Sequence, residues 1–333
     1  MGRISKTVNQ PVVETSHGGK VLYCIGKSSP VFTLLLLIIF VSVMVPEFFT
    51  LSNFMNIGRQ TAVIGILAIG QTLVIIARGI DLSVGSLMAF CGCLIAVATT
   101  QWGVPPFLAL LIGIVSGTLV GVIQGLIITK TGIQDFIATL GGLTAIAGLA
   151  LLVSDGLPIS GIPDDILNLS SSRIFGFIPM EFVMFLLIAF IGWIILNHTT
   201  LGRNAIAVGG NLEAARISGI NVDLTKIAVY SFSGFCCAFS SIVMIGRLNS
   251  ANALMGSGME LMAIAAVVLG GTSLIGGSGT IVGTLIGVFT IGTLNNGLDL
   301  LNVSAFWQQV ILGTVIVGVV ALDTWRRKKL GES

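Results

Sequence analysis

Long uncharged apolar runs alternate with short polar segments along almost the whole chain. Each run of about 20 residues is long enough to cross the hydrocarbon core of a bilayer as a helix. Ten such spans are predicted, at about 30–48, 60–77, 83–101, 105–129, 135–154, 178–197, 226–247, 259–270, 279–297 and 304–325. The eighth span is short, which indicates a broken or re-entrant segment. The pattern therefore predicts an all-α polytopic membrane protein.

Composition supports the same class. The chain is 54% hydrophobic and 9% charged, whereas a soluble domain carries roughly 25% charged residues. The basic residues are few and are not interleaved with aromatic residues, which excludes a nucleic-acid-binding protein. Five cysteines and only two histidines give no metal-binding spacing. We therefore interpret the cysteines as small packing residues.

The basic residues predict the orientation, because cytosolic loops of membrane proteins carry an excess of Lys and Arg. With the N-terminus in the cytosol and ten spans alternating, only three of the 16 Lys and Arg residues lie outside, namely Arg59, Arg173 and Arg247. Both termini are then cytosolic. Residues 1–29 and 326–333 form cytosolic tails, and residues 30–325 form the transmembrane domain.

Two connections in this topology are long: a cytosolic loop at 198–226 and an outer loop at 155–178. The outer loop carries Asp155, Asp164 and Asp165 against a single basic residue. Such a loop either meets a soluble partner by complementary charge or is simply solvated, and the sequence leaves both open.

Spans four and nine contain similar segments. Residues 116–125 read SGTLVGVIQG and residues 278–287 read SGTIVGTLIG, at a constant offset of 162 residues. A shift of five spans gives two halves of opposite topology, so we predict a five-plus-five inverted repeat. Small residues at every fourth position predict close helix packing. These are Gly113, Gly117, Gly121, Gly125, Gly279, Gly283 and Gly287. The alternative is two ordinary close-packed helices.

Polar, glycine-rich breaks separate spans two and three, and spans eight and nine. The first reads RGIDLSVGS, with Asp81 and Ser83 as N-cap candidates for the next helix, and the second contains Thr272 and Ser273. Irregular backbone is tolerated at membrane depth only where protein or water covers it. The breaks are therefore gates or pathway linings, or else tight cytosolic turns.

Uncharged amides inside the spans suit a path for a neutral hydroxylated solute, since an amide both donates and accepts. The candidates are Gln71, Gln124, Asn295 and Asn296, with interhelical hydrogen bonds as the alternative role. Asp81 and the other carboxylates are expected near span ends, which disfavours coupling to an ion gradient. No nucleotide-binding loop is present, so an ATP-driven mechanism would need a separate ATPase chain.

A polar segment with helix signals at both ends lies in the cytosolic loop, LGRNAIAVGGNLEAARISGINV at residues 201–222. Asn211 is a good N-cap, Glu213 and Arg216 suit the helix dipole, and Gly219 provides a left-handed stop. A helix of about two turns is unstable alone and must lie against something. It is either a helix that docks a soluble partner or part of an ordered loop that has no partner.

Four motifs together resemble the membrane permease subunits of bacterial ABC sugar importers of the ribose, xylose and galactose type. They are GIDLSVGS, FIATLGG, LGRNAIAVGGNLEAARISGI and ELMAIAAVVLGGTSLIGGSGTIVGTLIG. The resemblance runs from about residue 31 to residue 325. It implies a homo- or heterodimer of permeases in the bacterial inner membrane. It also implies a soluble or lipid-anchored sugar-binding protein outside, and cytosolic ATPase subunits that hold ATP and Mg²⁺.

The resemblance further implies that residues 209–219 couple the permease to the ATPase. The residues concerned are Gly209, Gly210, Asn211, Glu213, Ala214, Ala215, Arg216, Ser218 and Gly219. This chain is then expected to have no catalytic or metal-binding residues of its own and to carry a pentose or a hexose. The alternatives are a branched-chain amino-acid permease of the same general kind and a stand-alone ion-coupled carrier.

Overall fold

The computed structural model describes residues 29–330, and most of them are helical. The helices are α1 Ser29–Met44, α2 Leu51–Ile76, α3 Val84–Thr100, α4 Pro106–Thr131, α5 Asp135–Val153, α6 Asp164–Ser171, α7 Met180–His198, α8 Thr200–Gly210, α9 Leu212–Ile217, α10 Val222–Leu248, α11 Met259–Leu269, α12 Ile281–Leu300 and α13 Ala305–Leu330. A 3₁₀ turn covers Pro46–Phe48. The predicted tail at 1–29 lies outside the described residues except for Ser29.

Four two-residue strands complete the described structure: β1 Ile159–Ser160, β2 Arg173–Ile174, β3 Ile178–Pro179 and β4 Ser250–Ala251. β1 pairs antiparallel with β4, and β2 with β3. The pairing of β1 with β4 ties the predicted outer loop to the segment that follows α10. The two longest connections at this end of the bundle are therefore held together.

Each of the ten predicted spans coincides with a helix. Within residues 29–330, six helices are long and apolar enough to cross a membrane, namely α2, α4, α5, α7, α10 and α12, and α1, α3 and α11 are shorter apolar helices. A polytopic helical membrane protein is therefore confirmed. Some predicted ends are wrong. α2 begins at Leu51, because the Thr50 side chain caps it by accepting from the Asn53 N–H. α13 continues to Leu330, into the predicted tail.

Spans three and eight are broken. α3 follows an irregular segment at residues 77–83, and α11, only 11 residues long, follows another at 249–258. The two segments meet, since a Cβ on Gly85 would collide with the Gly256 carbonyl oxygen, and a Cβ on Gly256 with the Gly85 carbonyl oxygen. Two half-helices thus begin close together, an arrangement typical of transporter binding regions.

α10 lies at the centre of the bundle and packs against α2, α3 and α4. The predicted stripe on α4 faces it, because a Cβ on Gly117 would lie 2.7 Å from the Gly234 carbonyl oxygen and one on Gly125 would lie 2.6 Å from the Ile227 Cα. Gly121 meets the backbone of α10 in the same way, whereas Gly113 packs against Ile95 of α3.

The second stripe has different neighbours. Gly283 and Gly287 of α12 face the carbonyl oxygens of Gly270 and Ala266, at the end of α11. Gly279 precedes α12 and packs against Thr272 instead, so its assignment to a helix stripe was wrong. α4 contacts α3 and α10, and α12 contacts α11 and α2. In span numbers, four contacts three and seven, and nine contacts eight and two. A shift of five spans converts the first set of contacts into the second, as the predicted repeat requires.

Candidate functional site

The short helix α9 forms as its sequence signals predict. The Asn211 Oδ1 accepts from the Ala214 N–H at 2.9 Å, and Glu213 and Arg216 occupy the first and last turns. Gly219 has a φ of 82°. Its N–H donates to the Arg216 carbonyl, and the Ile220 N–H donates to the Ala215 carbonyl, each at 3.0 Å. Both ends of this six-residue helix are therefore closed by local hydrogen bonds.

A separate small apolar core supports α9. The side chains of Val208, Ala215 and Val222 are buried against one another, at the point where α8, α9 and α10 meet. The sequence analysis missed α8, since Gly202, Gly209 and Gly210 lower the helix propensity of the segment. The signal that could have found it is Thr199, whose side chain caps α8 by accepting from the Gly202 N–H at 3.4 Å.

The outward face of α9 presents a mixed surface. Six of the predicted coupling residues and Ile217 are exposed on it: Asn211, Glu213, Ala214, Arg216, Ser218 and Gly219. Ile217 is 84% exposed, which is unusual for a large apolar side chain on a polar helix. Ala215, 4% exposed, and Gly209, also buried, face the protein instead, so they do not belong to this surface. Gly210 is exposed at the start of it.

Four of the predicted pathway residues meet in a buried polar cluster. The Asp81 Oδ1 accepts from the Ser83 N–H at 2.9 Å and from the Ser83 hydroxyl at 2.6 Å, and its Oδ2 accepts from the Ser233 hydroxyl at 3.0 Å. The Gln124 Nε2 donates to the Ser83 Oγ at 2.7 Å. With its amide oxygen and nitrogen exchanged, which is the orientation that satisfies both atoms, the Gln71 side chain donates to the Asp81 backbone carbonyl at 3.3 Å and accepts from the Asp81 N–H at 3.1 Å.

The position of Asp81 corrects two predictions. It is 1% exposed and touches Ser233, in the middle third of α10, so a carboxylate does lie deep in the bundle. The prediction took a position near the end of a span in the sequence to mean a position near the membrane surface. Residues 77–83 instead turn back into the bundle, so Asp81 lies deep. The side chain of Ser83 also does not cap α3, since its hydroxyl is bonded to Asp81. Buried ionisable groups in membrane proteins are expensive and typically functional.

The sequence analysis missed Ser233. One serine in an apolar helix gives no signal of its own, because serines are common in membrane spans. It is identified only by its bond to Asp81. Within residues 29–330, no Lys or Arg forms an ion pair with Asp81. Neutral donors alone therefore satisfy its carboxylate.

The other predicted pathway residues lie elsewhere. Asn296 exchanges two 2.9 Å hydrogen bonds with Asn53, at the end of the bundle opposite α9, and Asn295 stands beside it. Thr272 and Ser273 are buried in the turn between α11 and α12, at the α9 end. The predicted set therefore does not form one site but occupies three levels, with the Asp81 cluster at the middle one.

An ion pair supports residues 77–83 from the α9 end. The Lys226 Nζ lies 2.7 Å and 2.9 Å from the two carboxylate oxygens of Asp135, and the Tyr230 hydroxyl donates to the same carboxylate at 3.0 Å. The Thr139 hydroxyl donates to the Ile80 carbonyl at 2.9 Å. The first turns of α5 and α10 are thus joined directly beneath the Asp81 cluster.

A cleft of about 530 Å³ opens at the end of the bundle opposite α9. Its lining includes Arg59, Arg173 and Glu47. The Arg59 Nε lies 3.9 Å from the Glu181 carboxylate, and Arg247 interacts electrostatically with the same carboxylate. Arg59 and Arg173 therefore line one cleft, and Arg59 and Arg247 act on the buried Glu181.

Comparisons with known proteins extend over nearly the whole chain. A family model described as the permease component of a branched-chain amino acid transport system matches residues 53–320. A ribose import permease protein of Bacillus subtilis is 45% identical over 304 residues, which are 91% of this chain and 93% of the relative.

Relatives from Escherichia coli strain K12 match as well. One is a ribose import permease protein, 42% identical over 87% of this chain and 91% of the relative. The other is a D-allose transport system permease protein, 39% identical over 84% of this chain and 85% of the relative. No solved structure matches the chain.

Proposed function

Since the chain belongs to the permease family of the branched-chain amino acid transport type, we propose that it is the membrane subunit of an ATP-driven importer of a monosaccharide. The observation that carries the proposal is the match to permeases named for ribose import and allose transport, each over more than four fifths of the chain. This membership confirms the resemblance found in the sequence motifs. The solute is then a pentose or a hexose rather than a branched-chain amino acid.

We further propose ten spans with both termini in the cytosol of a bacterium and α9 on the cytosolic side of the inner membrane. The charge distribution supports this orientation, because Arg59, Arg173 and Arg247 lie at the end opposite α9, while Lys130, Arg203 and Lys226 lie toward it. The two half-helices and the corresponding helix contacts support an inverted repeat.

The chain is a transport component, and we assign ATP hydrolysis to a separate cytosolic ATPase that would hold ATP and Mg²⁺. The exposed face of α9 is the proposed docking surface. Ile217 offers an apolar anchor, and Glu213 and Arg216 offer charges beside it, a combination typical of an interface core and its rim. A second permease copy would complete the path.

The proposed route of the sugar follows the three levels of polar residues. Asn295 and Asn296 lie toward the outside, the Asp81 cluster lies at mid-depth, and Thr272 and Ser273 lie toward the cytosol. Hydroxyl, amide and carboxylate groups suit the hydroxyl groups of a sugar, since they offer both donors and acceptors. Displacing the half-helices α3 and α11 would open the middle level.

Affinity purification from native membranes in mild detergent tests the proposed assembly. We expect an ATPase chain to co-purify and a sugar-loaded binding protein to stimulate its hydrolysis. Repeating the stimulation with single sugars would identify the substrate. A folded permease that reproducibly carries no ATPase would contradict the proposal and favour the stand-alone carrier.

We propose that the cleft lined by Arg59 and Arg173 receives an acidic group of the sugar-binding protein. The lining holds two exposed guanidinium groups against one carboxylate, that of Glu47, and Arg173 has no ion pair among the described residues. The excess of positive charge on this concave surface attracts a carboxylate and speeds its encounter. The cleft also lies at the end where the binding protein would approach. It is a better candidate than the acidic loop, because Arg59 and Arg173 line a formed cavity, whereas Asp164 and Asp165 lie exposed on the first turn of α6.

Replacing Arg173 with glutamate is expected to weaken binding of the loaded binding protein about tenfold and to flatten the salt dependence of the on-rate, since a rim charge chiefly affects association. Binding kinetics on the nanodisc-held importer at several salt concentrations measure both. Asp165→Lys is the comparison. A larger loss with Asp165→Lys than with Arg173→Glu would assign docking to the acidic loop instead.

A further inference from the structure

Three backbone segments meet at the α9 end with no side chain between them. A Cβ on Gly209, the penultimate residue of α8, would collide with the carbonyl oxygen of Ile76 and the backbone nitrogen of Gly277. The Gly277 N–H itself donates to the Ile76 carbonyl at 2.9 Å. We call the contact of Gly209, Ile76 and Gly277 the glycine junction. It joins α8 to the end of α2 and to the turn between α11 and α12.

The same turn also rests on the segment that carries Asp81. A Cβ on Gly276 would lie 2.9 Å from the Cβ of Arg78, and a Cβ on Gly279 would lie 3.0 Å from the Ile76 side chain. Arg78 has a φ of 63° and begins the turn into the bundle. The connections at the α9 end of both broken spans therefore touch each other as well as α8.

α9 is joined to this junction through its small core. Val208 of α8 packs against Ala215 of α9 and Val222 of α10, and the next residue after Val208 is Gly209. A displacement of α9 is therefore expected to move the end of α8 with it. Side chains could absorb such a displacement by changing rotamers, but backbone pressed against backbone has no rotamer to change.

We propose that Gly209 and Gly277 are positioning residues that transmit a displacement of α9 to both broken spans at once. One input at the docking helix would move the connection before α3 together with the connection after α11. The two half-helices that meet at Gly85 and Gly256 would then separate in step. This inference rests on the proposed docking of the ATPase at α9, and it adds the route by which the docking is transmitted.

Gly209→Ala tests the junction in the complete importer, reconstituted with its ATPase and sugar-loaded binding protein. We expect the complex to assemble and basal ATP hydrolysis to stay within about twofold of the unmodified complex. The number of sugar molecules imported per ATP is expected to fall at least about tenfold, within the range of coupling between distant sites. A purely structural defect would instead lower assembly and both activities together.

Two glycine variants provide the comparison. Gly210→Ala changes the neighbouring helical residue, but its Cβ would meet no atom within 4 Å, so a clearly smaller loss of coupling is expected. Gly148→Ala, in α5, likewise adds a Cβ in open space and is expected to behave as the unmodified chain. A Gly209→Ala importer with unchanged coupling, or Gly210→Ala with an equal loss, would overturn the inference.

A measurement with native glycines covers the case in which Gly209→Ala does not assemble. Spin labels at Ile206→Cys of α8, outside the docking surface, and at Ile275→Cys, both exposed sites, report the distance between α8 and the turn. Cys24 is replaced by serine, and the four described cysteines are buried. We expect this distance to stay constant between nucleotide-free and ATP-bound states, while each label moves relative to a third at Phe175→Cys.

The opposite pattern would overturn the inference: a distance between Ile206 and Ile275 that changes as much as either distance to Phe175. Failure of the proposed function is a different result. In that case no ATPase would join the unmodified chain, and neither the coupling ratio nor the nucleotide-bound state could be produced.

Discussion

Replacing Ile217 with aspartate is expected to reduce ATPase binding and sugar uptake by about 30-fold or more, the effect of losing an interface anchor worth ~2 kcal/mol. Ile217 is 84% exposed, and it belongs to none of the buried clusters of the described residues. The aspartate therefore removes no internal packing. It places a charge where the account requires an apolar contact with the ATPase.

The permease itself is expected to remain folded and in the membrane. Co-purified ATPase per permease and uptake of labelled sugar measure the two effects. Ile217→Leu is the matched variant, because it keeps the apolar anchor, and near-normal values are expected. Normal ATPase binding with Ile217→Asp would show that α9 does not dock the ATPase through this face.

Replacing Asp81 with alanine is expected to destabilise the permease by about 2–4 kcal/mol, since removal of a buried acceptor leaves its donors without partners. The backbone N–H of Ser83 and the hydroxyl groups of Ser83 and Ser233 all donate to this carboxylate. Asp81→Asn keeps one carbonyl oxygen and is expected to lose less. Thermal unfolding in detergent or nanodiscs gives the comparison.

Asp155→Asn serves as the control for the loss of a carboxylate, because Asp155 is exposed and asparagine tolerates its positive φ. Little change is expected there. A double-mutant cycle between Asp81→Ala and Ser233→Ala should show a coupling energy, since the two side chains share a hydrogen bond. If the two substitutions changed the unfolding free energy additively, or if Asp81→Ala left stability unchanged, the hydrogen bonds of the Asp81 cluster would not stabilise the permease.

Local signals predicted α9 well because its ends are made by neighbouring residues. Asn211, Glu213, Arg216 and Gly219 act within one turn of where they stand in the sequence. The apolar runs likewise predicted which segments are helical. The glycines at every fourth position of α4 indicated close packing, although only the structure identifies α10 as the main partner.

Contacts between distant segments could not be predicted in this way. Asp81 was placed near a span end because nothing local reveals that residues 77–83 fold back beside Ser233. The role of Gly209 depends on Ile76 and Gly277, which are far away in the sequence. Asn296 exchanges hydrogen bonds with Asn53, which lies 243 residues away in the sequence. In each case the partner follows from how whole helices pack, not from a pattern within one helix.

Import into proteoliposomes tests whether this chain transports sugar only together with an ATPase and a binding protein. The permease would be reconstituted alone or with its co-purified ATPase, and labelled sugar would be supplied on a binding protein with or without ATP. Uptake is expected only when the ATPase, ATP and the loaded binding protein are all present. Uptake by the permease alone, driven by a proton or sodium gradient and indifferent to ATP, would contradict it.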